Sequence, residues 1–238
     1  MEPKLFEEML GERGVTLSEQ QRTQYEEYYS LLVEWNEKIN LTAITEKNEV
    51  YEKHFYDSIS ASFFFDFTKV ETLIDIGAGA GFPSLPIKII YPHLKVTILD
   101  SLNKRISFLE HLSKQLKLEH VSCIHGRAEE FGVDPKYRDR FDVVTARAVA
   151  RLNVLAEYCM PFAKVGGNFV VLKGAEASNE LDEAKKAIKT LGGKTEKLET
   201  FFLPIEQAER SIILINKLAA TPKGYPRKAG TPSKKPII

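Results

Sequence analysis

The sequence predicts an α/β protein built on a mostly parallel seven-stranded sheet, with a helical extension ahead of it. Three observations carry this. From Glu71 onward, strand-sized apolar runs alternate with helix-period stretches. A glycine-spaced loop follows the first of those runs, and the last two runs flank a hairpin-like break at Pro204-Ile-Glu-Gln-Ala. Strands that alternate with helices must lie parallel, with helices covering both faces.

The first 70 residues read as helices. Tyr25, Tyr28, Tyr29, Leu32, Trp35 and Ile39 recur at three- and four-residue steps, so Ser18 to Asn40 forms an amphipathic helix. Ser18 followed by Gln21 has the form of a capping box. The aromatic stripe can stack bases, but its spacing is first that of a core-facing side. Beyond it, strands are expected at Leu73–Ile76, Val96–Leu99, Val121–Ile124, Phe141–Thr145 and Asn168–Leu172, the last after a Gly166-Gly167 turn. Helices are expected over Ile87–Ile90, Leu102–Leu116, Leu152–Phe162 and Leu181–Leu191. Thr195–Leu203 and Ile212–Ile215 close the sheet as a hairpin. The chain thus divides into a helical extension (1–70), a catalytic domain (71–217) and a basic Pro/Gly-rich tail (218–238). With four prolines and two glycines after Lys217, the tail is expected to be extended or disordered.

At 238 residues the chain fits one α/β domain with appendages. Its apolar runs are far too short to span a membrane, and no secretory leader is visible at Met1-Glu-Pro-Lys-Leu. Cys123 and Cys159 have no CxxC spacing and no matching histidine cluster. Buried free thiols fit better than a disulfide or a metal site, which implies no metal and a cytoplasmic location. The net charge is zero but unevenly spread. Residues 1–50 hold eleven acids and five bases, whereas residues 217–238 hold six bases and no acid. A basic end on a neutral body suits a polyanionic partner.

Asp75-Ile-Gly77-Ala-Gly79-Ala-Gly81 follows a strand and opens a helix, the place where parallel sheets bind nucleotides. The spacing is GxGxG, with Phe82 where a dinucleotide loop needs its third glycine. Asp75 disfavours a pyrophosphate but welcomes the cationic sulfonium and ammonium of S-adenosylmethionine. Asp100, 25 residues on and at the end of the second strand, is placed to accept both ribose hydroxyls. The segment His125–Phe131 should lie beside the adenine, with Glu129 either reading its amino group or complementing a helix dipole. The expected fold is therefore a Rossmann-like S-adenosylmethionine-dependent methyltransferase.

Further strings sharpen this. Asn40-Leu-Thr-Ala-Ile, His54-Phe-Tyr-Asp-Ser, Asp75–Pro86, Leu99–Arg105, Gly126–Phe131, Thr145-Ala-Arg-Ala148 and Leu172-Lys-Gly174 together resemble the RsmG, or glucose-inhibited division protein B, family of bacterial 16S rRNA guanine-N7 methyltransferases. The resemblance is dense from residue 40 to 174 and, with the tail, covers nearly the whole chain. It implies that Gly77, Phe82, Ala128, Glu129 and Arg147 stand where the family binds its methyl donor. It also implies methyl transfer to N7 of a guanine in the decoding-centre pseudoknot loop of 16S rRNA, with the small ribosomal subunit as partner and a monomeric enzyme.

Guanine N7 is a bare lone pair, so attack on a methyl group needs no general base and no single catalytic side chain. The sequence agrees: it has neither an Asn/Asp-Pro-Pro-aromatic string nor a Pro-Cys nucleophile. Arg127, Arg147 and Lys173 lie at the ends of the third, fourth and fifth strands, as RNA contacts flanking the guanine or as rim charges paired with acids such as Glu129. Arg147 alternatively serves the donor. Lys104 and Arg105 follow Asp100 and either reach RNA or are simply exposed. His54 and Asp57, one helical turn apart, suit a structural hydrogen bond as well as chemistry. In the tail, Arg227 and Lys228 are candidate phosphate contacts; alternatively the tail solubilises, or folds back on the acidic first fifty residues. Because shorter family members lack it, the resemblance implies that the tail is dispensable for chemistry. Two other functions stay open: a same-fold methyltransferase for a small molecule or protein, and a non-catalytic ribosome-binding module.

Overall fold

The computed structural model describes residues 1–238. Seven strands form one sheet: β1 (Thr72–Ile76), β2 (Lys95–Asp100), β3 (Val121–His125), β4 (Phe141–Arg147), β5 (Ala163–Lys173), β6 (Gly193–Phe202) and β7 (Glu209–Lys217). Their order is β3-β2-β1-β4-β5-β7-β6. The first five pair in parallel, and β7 runs antiparallel to both β5 and β6. The chain winds outward in both directions from β1 and β4, so a crevice opens at the carboxyl ends of those two strands.

Strand residues alternate between two apolar clusters. Leu73, Val143 and Val170 face one, packed under α5 (Ser84–Ile90) and α6 (Asn103–Gln115). Ile74, Val144 and Val171 face the other, under α8 (Leu152–Cys159) and α9 (Ala177–Thr190). Both faces are buried, which is why these strands read as continuous apolar runs.

The N-terminal helices α1 (Pro3–Glu12) and α2 (Glu19–Ile39) belong to the first cluster: Phe6, Tyr25, Tyr28 and Phe55 share it with Leu73 and Leu109. The capping box at the head of α2 is formed in both directions, Ser18 Oγ accepting from Gln21 N and Gln21 Oε1 from Ser18 N. Three short helical pieces follow: α3 (Lys47–Val50), a π-helical turn (Tyr51–Tyr56) and α4 (Asp57–Ile59). No helix is long and apolar enough to cross a membrane.

Three expectations need correction. The helix expected to reach Phe162 ends at Cys159 and gives way to a 3-10 turn at Met160–Phe162, where Pro161 has no N–H to continue the ladder. Gly166-Gly167 does not precede β5 but lies inside it, Gly166 at φ +84°, where the pairing with β4 slips register between Phe141 and Val143. The tail is neither extended nor folded onto the acidic helices. It returns across α8 and ends in the short α10 (Thr231–Lys234). The reason is a set of specific anchors. Arg138 donates to the carbonyls of Thr221 and Tyr225, and Lys217 Nζ donates to Met160 O at 2.6 Å.

Candidate active site

The loop after β1 has Gly77, Gly79 and Gly81 all at positive φ (+74°, +61° and +97°), a backbone that side chains rarely adopt. Space adds a second constraint at two of them. A Cβ on Gly77 would meet Val149 at 2.9 Å, and one on Gly81 would meet the Tyr28 hydroxyl at 2.5 Å. Asp100 ties this loop to β2: its Oδ2 accepts from Gly79 N at 3.0 Å and its Oδ1 from Leu102 N at 2.9 Å. Arg105 Nη1 also approaches Oδ2, at 3.6 Å, while Oδ1 keeps a second lone pair, so a hydroxyl ligand remains compatible with these bonds.

Asp75 lies fully buried beneath the loop. One oxygen accepts from Ser84 N at 3.1 Å and the other, Oδ1, has no partner. Burial pushes its carboxyl up to about 7.

Between β1, β2 and β3 a cleft of about 130 Å³ is walled by Ile76 and Leu99, with Ser101, Ala128, Glu129 and Tyr158 at its rim. Val149 covers its Gly77 end. Glu129 is buried in the first turn of α7 (Ala128–Phe131). Its Oε1 accepts from Arg127 at 3.3 Å and from Gly230 N at 2.9 Å.

A second, larger cleft of about 590 Å³ opens on the other side of β4. Arg147 stands at its floor. The guanidinium donates to Asp57 Oδ2 at 2.8 Å and to His54 Nδ1 at 3.2 Å, and lies 4.9 Å from the centroid of the Phe82 ring. His54 Nδ1 also lies 3.2 Å from the Lys53 carbonyl, and Nε2 shares a 2.9 Å hydrogen bond with Thr42 Oγ1. Burial and the adjacent Arg147 hold the imidazole neutral, its pKa lowered to about 3. Its ring stacks on Phe82 at 4.5 Å. Arg210 reaches the other Asp57 oxygen at 3.2 Å, Lys173 pairs with Glu180 at 2.8 Å, and Lys53 with Glu206 at 2.9 Å.

The structure brings together some of the sequence-predicted residues and separates others. Asp75, Gly77, Gly79, Gly81 and Asp100 gather at the glycine loop, and Ala128 and Glu129 line the first cleft with Gly77. Arg147 lines the second cleft and covers the buried Phe82 ring. Lys173 lines the second. Arg127 instead borders the first cleft beside Glu129, about half exposed (49%). Lys104 is exposed on α6 and touches neither cleft. Lys228 is exposed on the tail. Arg227 turns inward to the buried Glu157 and is not presented to a partner. His54 and Asp57 do not bond each other; both bond Arg147.

Sequence reasoning missed Arg210 and Glu157, and placed Tyr28 on a core-facing stripe without its bond to Ala80. For Glu157 there was a signal: a lone acid in the otherwise apolar helix of Leu152–Phe162 needs a buried partner. Arg210 gave none.

Cys159 is fully buried with its thiol pushed up, and Cys123 is raised to about 12, both by desolvation, so neither is an activated nucleophile.

Among solved structures, the fold is similar to TrmN from Thermus thermophilus, with a TM-score of 0.54 at 14% identity over 71% of this chain and 53% of that one. It is also similar to M. jannaschii TYW2 solved in complex with AdoMet, at 0.53 and 17% over 69% and 76%. At such identities the likeness shows the fold alone.

The sequence relatives say more. The chain is 60% identical to ribosomal RNA small subunit methyltransferase G of Brevibacillus brevis over the full length of both, and 60% identical to that of Bacillus subtilis over 98% and 97%. The family model described as rRNA small subunit methyltransferase G matches residues 21–212, a span holding both clefts. The chain therefore belongs to the GidB family, rRNA small subunit methyltransferase G.

Proposed function

We propose that this chain transfers the methyl group of S-adenosylmethionine to N7 of a guanine in the decoding-centre pseudoknot loop of 16S rRNA, in the cytoplasm where free thiols such as its own persist. The glycine loop, with the first cleft beside it, has the chemistry to hold the donor. The glycine loop offers backbone without Cβ atoms, Asp100 suits the ribose, and Ile76 and Leu99 suit the adenine faces. The unpartnered Asp75 oxygen beneath the loop suits a positive charge. Bound there, the donor supplies an electrophilic methyl group on a sulfonium.

The observation that carries the N7 reading is the state of the second cleft. Each of its candidate bases is committed: Asp57 to two arginines, Glu180 to Lys173, Glu206 to Lys53, and neutral His54 at both ring nitrogens. An amine or ribose acceptor must lose a proton, whereas N7 has none to lose. What remains for the protein is to hold the purine in line, and the cations of the cleft are suited to phosphates flanking it.

The test is methyl transfer from labelled donor to small-subunit rRNA, followed by borohydride reduction and aniline treatment. A 7-methylguanosine product gives one scission site. Labelled RNA that resists scission refutes N7, and label in protein or small molecules with none in RNA refutes the substrate.

A further inference from the structure

The tail, whose Arg227 the sequence offers as a phosphate contact, is instead wired into the first cleft. Arg227 makes a two-pronged pair with Glu157: Nε reaches Oε1 at 2.9 Å and Nη2 reaches Oε2 at 2.6 Å, while the Arg227 amide adds a third bond to Oε1 at 2.8 Å. Glu157 is completely buried in α8, and all its hydrogen bonds, including a fourth from Arg227 Nε to Oε2 at 3.2 Å, come from Arg227, so the pair is what makes its charge tolerable there. Three residues on, the Gly230 amide donates to Glu129, at φ +79°. Ser233 then shares a hydrogen bond with Tyr158 at 2.9 Å. Glu129 and Tyr158 both line the first cleft.

We propose that residues 225–233 form a positioning strap for the methyl-donor pocket, in which the Arg227–Glu157 pair is the anchor and Gly230 and Ser233 hold Glu129 and Tyr158 at the pocket wall. This rests on the donor reading of the first cleft. Without the strap, Glu129 keeps only its 3.3 Å contact with the half-exposed Arg127, which does not fix a carboxylate. With it, Glu129 Oε1 is doubly bonded in one orientation, and Oε2, which makes no hydrogen bond within the chain, is left for a ligand. A wall ordered in advance saves the donor the cost of ordering it on binding. Arg227, Gly230 and Ser233 are positioning residues, since each acts through another side chain.

The full-length wild type is compared with Arg227→Gln, Arg227→Lys and Ser233→Ala. Donor affinity is read by calorimetry with S-adenosylmethionine, methylation kinetics with small-subunit rRNA, and stability by thermal melting. The strap predicts that Arg227→Gln raises both Kd and KM for the donor about tenfold, leaves kcat at saturating donor within twofold, and leaves KM for RNA unchanged. Arg227→Lys recovers part of the loss by restoring a charge for Glu157, and Ser233→Ala gives a smaller effect of the same kind.

Hydrogen exchange on the wild type needs no variant to fold: the donor should slow the amides of residues 228–233. Unchanged exchange there overturns the strap. So does a drop in melting temperature with donor KM unchanged, which is a structural role only. A raised KM for RNA with donor Kd unchanged also overturns it and returns Arg227 to phosphate binding. A wild type that takes up no donor refutes the donor reading and the strap together; a wild type that binds donor, with Arg227→Gln binding equally well, refutes the strap alone.

Discussion

The Tyr28 hydroxyl donates a 2.7 Å hydrogen bond to the carbonyl of Ala80, joining helix α2 to the middle of the glycine loop. The same hydroxyl fills the space that a Cβ on Gly81 would need, and the ring stacks on Phe82 at 5.5 Å with an 8° tilt. The N-terminal helices are therefore part of the glycine loop's scaffold: they set its position from behind, while Asp100 holds it from the front.

Tyr28→Phe removes this bond and leaves a buried carbonyl unsatisfied. We predict a stability loss of about 1–3 kcal/mol in urea denaturation. Donor affinity should weaken severalfold because the loop is no longer tied. A variant with wild-type donor affinity would limit Tyr28 to core packing.

The sequence made Tyr28 legible as buried but not as a partner of Ala80. Helical periodicity reports which face is covered, not what covers it, and these residues lie 52 positions apart. The capping box at Ser18 was fully legible because all its atoms lie within one turn. The glycine loop, Asp75 and Asp100 were legible because strand ends place them, and a parallel sheet follows from alternation. The inward turn of Arg227 was hidden for the same reason as Tyr28: its acid is 70 residues away, and tail composition says only that a segment has little core of its own. Asn40-Leu-Thr, His54-Phe-Tyr-Asp and Thr145-Ala-Arg looked like separate strings. In the fold, Thr42, His54, Asp57 and Arg147 form one hydrogen-bonded chain.

Asp75 gives a pH signature. Its carboxyl is raised from 3.8 to about 7 by burial, so the folded chain retains a proton that the unfolded chain has lost. Between about pH 4 and 7 the unligated protein should lose stability as pH rises, at up to about 1.4 kcal/mol per unit. A cationic donor reverses the preference, because it favours the ionised carboxylate. Its Kd should fall by up to about tenfold per unit as pH climbs to 7 and level off above. His54, neutral throughout, adds no limb, so kcat at saturating donor should stay flat from pH 6 to 9. Asp75→Asn should abolish the pH dependence of Kd; persistence of the slope in that variant would assign it to another group.

Lys173 and Arg127 should now separate. Lys173 lines the second cleft, held by Glu180 and by the Ala150 carbonyl at 2.5 Å. Lys173→Ala is expected to cut methylation at least tenfold with donor Kd near wild type. Arg127 borders Glu129, so Arg127→Ala should weaken donor binding as well as methylation. Calorimetry on the two variants decides this, and identical donor affinities would move Arg127 to the RNA side.

The last prediction concerns Asp57, which bridges Arg147 and Arg210 at 2.8 and 3.2 Å. Both guanidiniums are mostly enclosed, with side-chain exposures of 14% and 24%. Asp57→Asn leaves two neighbouring cations with a neutral partner. Removing one member of such a buried arrangement costs about 3 kcal/mol, which chemical denaturation will read. If Arg147 serves the acceptor cleft, methylation falls steeply while donor Kd holds. If it serves the donor, Kd rises in step with the lost activity. A phosphate or sulfate ion offers a further check, since it can replace the missing carboxylate between the two arginines: 50 mM sulfate should raise the melting temperature of Asp57→Asn by several degrees more than that of the wild type. Equal shifts in both would mean that the arginines have moved apart and no longer form one anion-accepting pair.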